Sequence, residues 1–564
     1  MGSLFSSLDI ALSGLQASQI QLEVAGHNIA NVNKEGFSRQ RVNLITRVPN
    51  LRSYGIVGRG VDLSNVERIR EGFLDKVFRQ QIPSLGNTEI QAGYFTRIED
   101  IFQEPTENGF GARLNYFFDA LNDFSNNVEE LPVRISVLTE AESLVTSLQE
   151  GAERVFALRT NANEEVRNLV PEVNSLSERI AALNVRIRAA EVGGNTANDL
   201  RDDRDLLLDE LAELVNIGYQ EREDGQVDVF VSGDVLITGS DYRELVATRD
   251  PTLDPDRADL VEVRFADTDR AVDVHDGQLR GALDIRDGQL VQVGDRIDQI
   301  AAAIIREVNQ IHCTGNGLVN LSGMISSTNP VSDAGTPLPD AGLPFAVTAG
   351  TFDVIVYDAA GTPSTTTITV AADTSLDDLA AALNAIPNFA ASVTGNALEL
   401  GATGSYTYSF ANDTSGALTA LGINGLFQGH DATTIRVNAD LIDDPRLLTS
   451  GYSTDLLDTG DNTAALALAN VRNLRVLESD SATINEYYES TIVRVGVDAR
   501  ANTDLLEIER SFVDDFRRRR EEVSGVSLDE EVTFMLQYQK AFEASARVIT
   551  VADRMLDVLL AMAL

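Results

Sequence analysis

Four histidines, one cysteine and one acidic run are the residues of this 564-residue chain that have the chemistry of ligands, bases or nucleophiles. His27, His275, His312 and His430 are scattered, and none has a second His or Cys at the short spacings of a zinc site. His312 and Cys313 are adjacent, the nearest approach to an activated thiolate. Neighbouring residues on a helix point about 100° apart and do not face each other, so this pair reads as a partly buried helix end. The run Asp199-Leu-Arg-Asp-Asp-Arg-Asp205 resembles a metal loop in composition only. It lacks the ligand order and glycine of a calcium loop, and its interleaved arginines suggest i,i+4 pairs on a solvated helix face. HExxH, P-loop, GxSxG and CxxC patterns are absent. The sequence therefore proposes no catalytic residue, no cofactor and no metal, and the expectation is a protein that is not an enzyme.

Charge narrows the partners. The chain holds 87 Asp and Glu against 45 Lys and Arg, a formal net charge of −42. A surface of that sign has no basic face for phosphates, which argues against nucleic acid, and it is repelled by anionic lipid headgroups. No apolar run reaches the roughly 18 residues needed to span a bilayer, so no membrane insertion is expected. The opening Met1-Gly-Ser-Leu-Phe-Ser6 fits a loose myristoylation pattern, but its apolar residues are better used in a helix. No basic region followed by an apolar core and a cleavage site marks a secretory signal.

With no reaction to position, the elements themselves become the candidates. Leu8, Leu15, Leu22 and Ile29 recur every seventh residue, with Ala11, Ser18, Ala25 and Val32 three residues after each. The far end repeats the rhythm: Met535, Phe542, Ile549 and Leu556, interleaved with Tyr538, Ser545, Ala552 and Leu559. These are heptad seams, large residues alternating with mostly small ones. An apolar stripe on a lone helix is stabilised only when buried, by about 1.5–3 kcal/mol per large side chain, so each seam needs a partner: the other terminus, or further copies. Between the first seam and the body lies Gly26-His-Asn-Ile-Ala-Asn-Val-Asn-Lys-Glu-Gly-Phe-Ser-Arg-Gln-Arg-Val42. Asn28, Asn31 and Asn33 tolerate left-handed backbone and offer side-chain bonds that compete with helix. Gly36 supplies a positive φ, and Phe37, Val42 and Leu44 anchor an extended segment. The stretch reads as a helix terminator and exit turn.

That stretch, together with Gly525-Val-Ser-Leu-Asp-Glu-Glu531 opening the last helix and Leu200-Arg-Asp-Asp-Arg-Asp-Leu-Leu-Leu-Asp-Glu-Leu211 inside, resembles the flagellar axial proteins of bacteria: rod, hook and hook-associated subunits. Ser38-Arg39-Gln40 after the turn is most similar to the hook-associated members. Lys34-Glu35 departs from the Thr-Pro usual at that place, while Gly36 keeps the turn. The resemblance implies a self-assembling structural subunit at the hook–filament junction. It also implies a ring of copies, contacts with hook protein and with the next hook-associated protein, and an export chaperone on the C-terminal helix. Type III export to the extracellular flagellum, without a cleaved signal, follows as well. A hook or rod subunit and a secreted surface adhesin are the alternatives. The long helical body weighs against a hook subunit.

The expected fold is mixed α and β and multidomain, with paired N- and C-terminal coiled-coil helices, a discontinuous long-helix bundle and outer β-rich insertions. Residues 1–50 with 521–564 form the terminal coiled-coil domain, and 51–218 with 286–329 and 455–520 form the helical domain. Residues 219–285 with 429–454 form a β-rich domain, and 330–428 an outer β/α module. Pro171 is expected to begin a helix or kink one.

Overall fold

The structure, a computed structural model, describes residues 2–52, 55–102, 106, 109–254, 257, 259–455 and 457–563. Helix α1 (Gly2–Ala30) leads into two short hairpins, β1 (Gln40–Thr46) with β4 (Val61–Arg68) and β2 (Asn50–Arg52) with β3 (Gly55–Val57). Long helices follow: α2 (Gly72–Phe102), α3 (Phe110–Asn126), α4 (Leu131–Glu191) and α5 (Asn198–Leu214). Helix α4 runs unbroken for 61 residues with Pro171 inside it, so that proline neither starts nor ends an element.

By internal packing the chain divides into two units, residues 1–93, 161–285 and 501–564 in one and 94–160 with 286–500 in the other. In the first, an antiparallel sheet of β5 (Ile217–Glu221), β6 (Val227–Val231), β7 (Asp234–Thr238) and β8 (Asp241–Tyr242) adjoins a hairpin of β9 (Leu245–Arg249) and β10 (Val261–Phe265). The alternation of Val227, Val229 and Val231 buries one face of β6 against Val166, Val173, Ile180 and Ile187 of α4. This is the period-two and period-3.6 agreement that marks a sheet packed on a helix.

Helix α6 (Gln278–Asp284) belongs to the first unit; in the second, a β/α module follows α7 (Leu290–His312). Its central strand β12 (Gly350–Tyr357) lies between β13 (Pro363–Val370) and β16 (Thr407–Ala411); β11 (Met324–Ser326), β15 (Ala397–Ala402) and β14 (Phe389–Thr394) form a second sheet, with α8 (Leu376–Asn384) packed beside it. Short elements α9 (Ala417–Leu421), β17 (Phe427–Gln428), β18 (Arg436–Val437), α10 (Ala439–Asp443) and α11 (Thr463–Asn470) lead to α12 (Ile484–Ser524) and α13 (Leu528–Ala563).

Residues 429–454 do not join 219–285 as the sequence suggested. They belong to the second unit, where Asp298 of α7 accepts from Ala432 N at 3.0 Å and Gln149 of α4 donates to Ile435 O at 2.8 Å. That stretch holds only a two-residue strand, and the polar bonds that assign it to its neighbours are long-range. No described helix is long and apolar enough to cross a membrane.

Candidate functional site: the terminal helix pair and its joint

Helices α1 and α13 pack along each other. Asn28 Nδ2 reaches Glu531 Oε2 at 3.1 Å, and Gly14 lies so close to Ser545 that a Cβ on the glycine would stand 3.0 Å from Ser545 Oγ. Going from Gly14 to Asn28 moves up one helix while Ser545 to Glu531 moves down the other by the same number of residues, so the pair is antiparallel. Small residues make the approach. Ala11, Ser18 and Ala25 are buried, as is Ala552 on α13, whereas Leu8, Leu15, Leu22, Ile29, Met535, Phe542, Ile549 and Leu556 are half-buried. Side chains in such a seam gain the rest of their burial stabilisation only when something else covers them. Beyond the seam, α13 carries a second, bare stripe: Val551 is 55%, Met555 52% and Val558 59% exposed.

The turn after α1 works through side chains. Asn31 Nδ2 returns to His27 O at 3.0 Å and so satisfies a carbonyl at the helix end. Asn28 brackets the exit strand, donating to Gln40 O at 3.0 Å and accepting from Gln40 N at 3.0 Å. None of Asn28, Asn31 and Asn33 takes the left-handed backbone; only Gly36 does, at φ 74°, where its bare Cα faces Leu206 of α5. The His27 ring lies edge-on to Phe37 with centroids 5.5 Å apart and touches Asp199 at 3.2 Å. Lys34 bonds Asp203 at 2.8 Å, tying to α5 the position where the family was expected to carry threonine. Leu44, expected as an anchor, is 36% exposed.

The acidic run of α5 overturns its sequence reading. Asp202, Arg204, Asp205 and Asp209 are buried. Asp202, Asp205 and Asp209 stand at i, i+3 and i+7, one face of the helix, and that face meets arginines from far along the chain. Arg68 bridges Asp202 and Asp205 at 2.7 and 2.8 Å, and Arg79 reaches Asp209 at 2.6 Å and Asp205 at 3.2 Å. Arg70 clamps Asp75 at 2.6 Å, and Arg520, near the end of α12, joins Asp75 at 3.1 Å and Asp209 at 2.8 Å. Ser38 of the exit turn donates both N and Oγ to Asp202, at 2.8 and 2.7 Å. Four carboxylates and four guanidinium groups balance in this node, which buried charges require. Burial alone would push the Asp205 carboxyl up, but Arg70, Arg79 and Arg68 together hold it far below the usual carboxylate range. At Asp202 burial wins over Arg68 and Ser38, and its pKa stands raised.

A second bond set closes the joint. Arg39 N donates to Ser524 O at 2.8 Å, where α12 ends, and Arg39 Nε holds the buried Glu531 at 2.6 Å. Both strands of chain that leave the body are therefore pinned at one place. Periodicity within one helix could not find these partners, because Arg68, Arg79 and Arg520 lie far from α5 in the sequence.

His312 is fully buried with Nδ1 2.8 Å from Asn424 O, and burial pulls its pKa down to about 4. Burial pushes the Cys313 thiol up, away from thiolate. Among the described residues no cluster of three His, Cys, Asp or Glu has the arrangement of a metal site.

Comparison with known proteins places these elements. Residues 95–324 match the model of the flagellar hook-associated protein FlgK helical domain, residues 8–37 that of the flagella basal body rod protein, and residues 518–562 that of the flagellar basal body rod FlgEFG protein C-terminal segment. The chain is 25% identical to flagellar hook-associated protein 1 of Bacillus subtilis, covering 99% of this chain and 98% of that one. It is 24% identical to the protein of that name from Escherichia coli, covering 98% and 99%. The flagellar hook junction protein FlgK from Burkholderia pseudomallei shares the fold at a TM-score of 0.51, with 15% identity, over 79% of this chain and all of that one.

Proposed function

We propose that this chain, which belongs to the family of bacterial flagellar hook-associated proteins, is the structural adaptor between hook and filament, assembling through its terminal helices. The observation that carries this reading is the antiparallel α1–α13 pair: joined by small residues, half covered, and pinned to the body by Ser38, Arg39 and Glu531. The family is a structural one.

Assembly is coupled to burial. Each large seam residue that passes from half-covered to covered contributes a further share of the 1.5–3 kcal/mol that full burial is worth, about 1 kcal/mol, and a ring of copies multiplies it. Leu8, Leu15, Leu22, Ile29, Met535, Phe542, Ile549 and Leu556 are the residues on which this reading rests. Asn28, Asn31, Asn33, Gly36 and Phe37 set the exit of the first helix. The neighbours are hook protein on one side and the next hook-associated protein on the other. In transit the exposed stripe of α13 needs a cover, the role of an export chaperone, and the assembled site is extracellular. Residues 1–50 with 521–564 act as the axial domain, and 330–428 as an outer module.

Electron microscopy of cells lacking the gene, with the medium blotted for flagellin, tests this. Hooks without filaments and flagellin free in the medium are expected. Intact filaments overturn the reading, and absence of hooks moves the chain to the rod or hook.

A further inference from the structure

Residues 40–68 form a ribbon of two stacked hairpins. Strands β1 and β4 pair in register from Gln40 opposite Arg68 to Thr46 opposite Val61, a bond from Arg47 N to Gly60 O continues the ladder, and β2 and β3 extend it with Leu51 directly opposite Ile56. The ribbon's middle leans on α1: Val61 N donates to Ser13 Oγ at 3.2 Å, and Gly60, at φ 90°, passes over Ile10 and Ser13 with no room for a side chain. Past that crossing three apolar side chains are bare. Val48 is 81% exposed, Leu51 82% and Ile56 73%. A two-stranded ribbon is marginal in water on its own, and an apolar cross-strand pair at a free tip is a docking or aggregation surface.

Its charge names the occupant. Residues 47–60 contain Arg47, Arg52 and Arg59 and not one carboxylate, in a chain with 87 acidic residues and a net charge of −42. Arg47 pairs with Asp62 at 2.7 Å, while Arg59 has no carboxylate partner among the described residues. A basic, apolar finger on an intensely acidic body is complementary to another such body, and attraction of this kind offsets the like-charge repulsion that −42 imposes on neighbouring copies. We propose that the ribbon tip, Leu51 and Ile56 with Arg59, docks onto a second copy of this chain, as a lateral clamp separate from the α1–α13 seam.

This rests on the assembly reading above, and the test separates the two. A photoreactive benzoylphenylalanine is placed at Ile56 of the full chain in flagellated cells, and the irradiated flagella are resolved and mapped. The expected product has twice the chain mass and joins the ribbon tip to a peptide of a second copy. Arg59→Glu or Leu51→Asp, each with an unchanged unfolding midpoint, lowers its yield at least fivefold. A tip joined to another flagellar protein, to lipid, or to nothing in flagella that contain the chain overturns the clamp alone. Absence of the chain from flagella overturns the assembly reading instead.

Discussion

The terminal helix pair and the outer β/α module are both rich in apolar residues, and they finish their cores differently. In the module, Phe352, Val354, Leu376 and Phe410 are 1% exposed or less, and α8 starts with a capping box in which Ser375 and Asp378 satisfy each other's backbone N–H groups. In the terminal pair the large seam residues stay half-covered and α13 keeps a bare stripe. The module needs nothing outside itself. On the assembly reading the pair is one part of a packing unit that further copies complete, and the Asp–Arg node ties its exit to the body.

Breaking the open half has the largest effect. Phe542→Asp or Leu15→Asp puts a charge into a seam that assembly would bury, a cost of several kcal/mol per copy. Incorporation into flagella is abolished while the purified body keeps its thermal unfolding transition, as immunoblots of isolated flagella and calorimetry will read. Next comes the joint. Asp205→Ala strands the positive charges of Arg68, Arg70 and Arg79, and the unit that contains them loses about 3–5 kcal/mol in denaturant titration, with the module's own transition unmoved.

Acid sharpens the comparison. Asp205 is depressed when folded, so its contribution is complete above its unfolded pKa near 4 and drains away as pH falls below that. Asp202, raised when folded, works in the opposite sense and softens the loss. His312 in the second unit is held neutral: the unfolded chain takes its proton first, near pH 6.5, so stability drops by about 3 kcal/mol as pH falls from there to about 4, then levels. The second unit therefore weakens first on acidification, and His312→Gln flattens that limb in pH-dependent denaturation. The smallest effect is Ser375→Ala, about 1 kcal/mol from the module's cap, with motility unchanged.

The seams and the helix stop were legible because they are written locally. Heptad spacing gave α1 and α13. What periodicity could not reveal is which distant groups a face meets. Asp202 and Asp205 read as solvated because their partners, Arg68, Arg70 and Arg79, lie more than a hundred residues away. Asparagine types correctly marked the end of α1, but through side-chain bonds rather than left-handed backbone. The assignment of 429–454 failed for the same reason as the acidic run: composition carries element type, and long-range polar bonds carry address.

Hydrogen exchange on the dilute free chain tests the central claim most directly. Amides of 2–30 and 528–563 should exchange with little protection while β12 and α7 exchange only on global opening of their unit, and protection of both termini should rise on assembly. Termini already as protected as β12 in the dilute chain would contradict the account, because the pair would then be a finished core and assembly would have nothing left to bury.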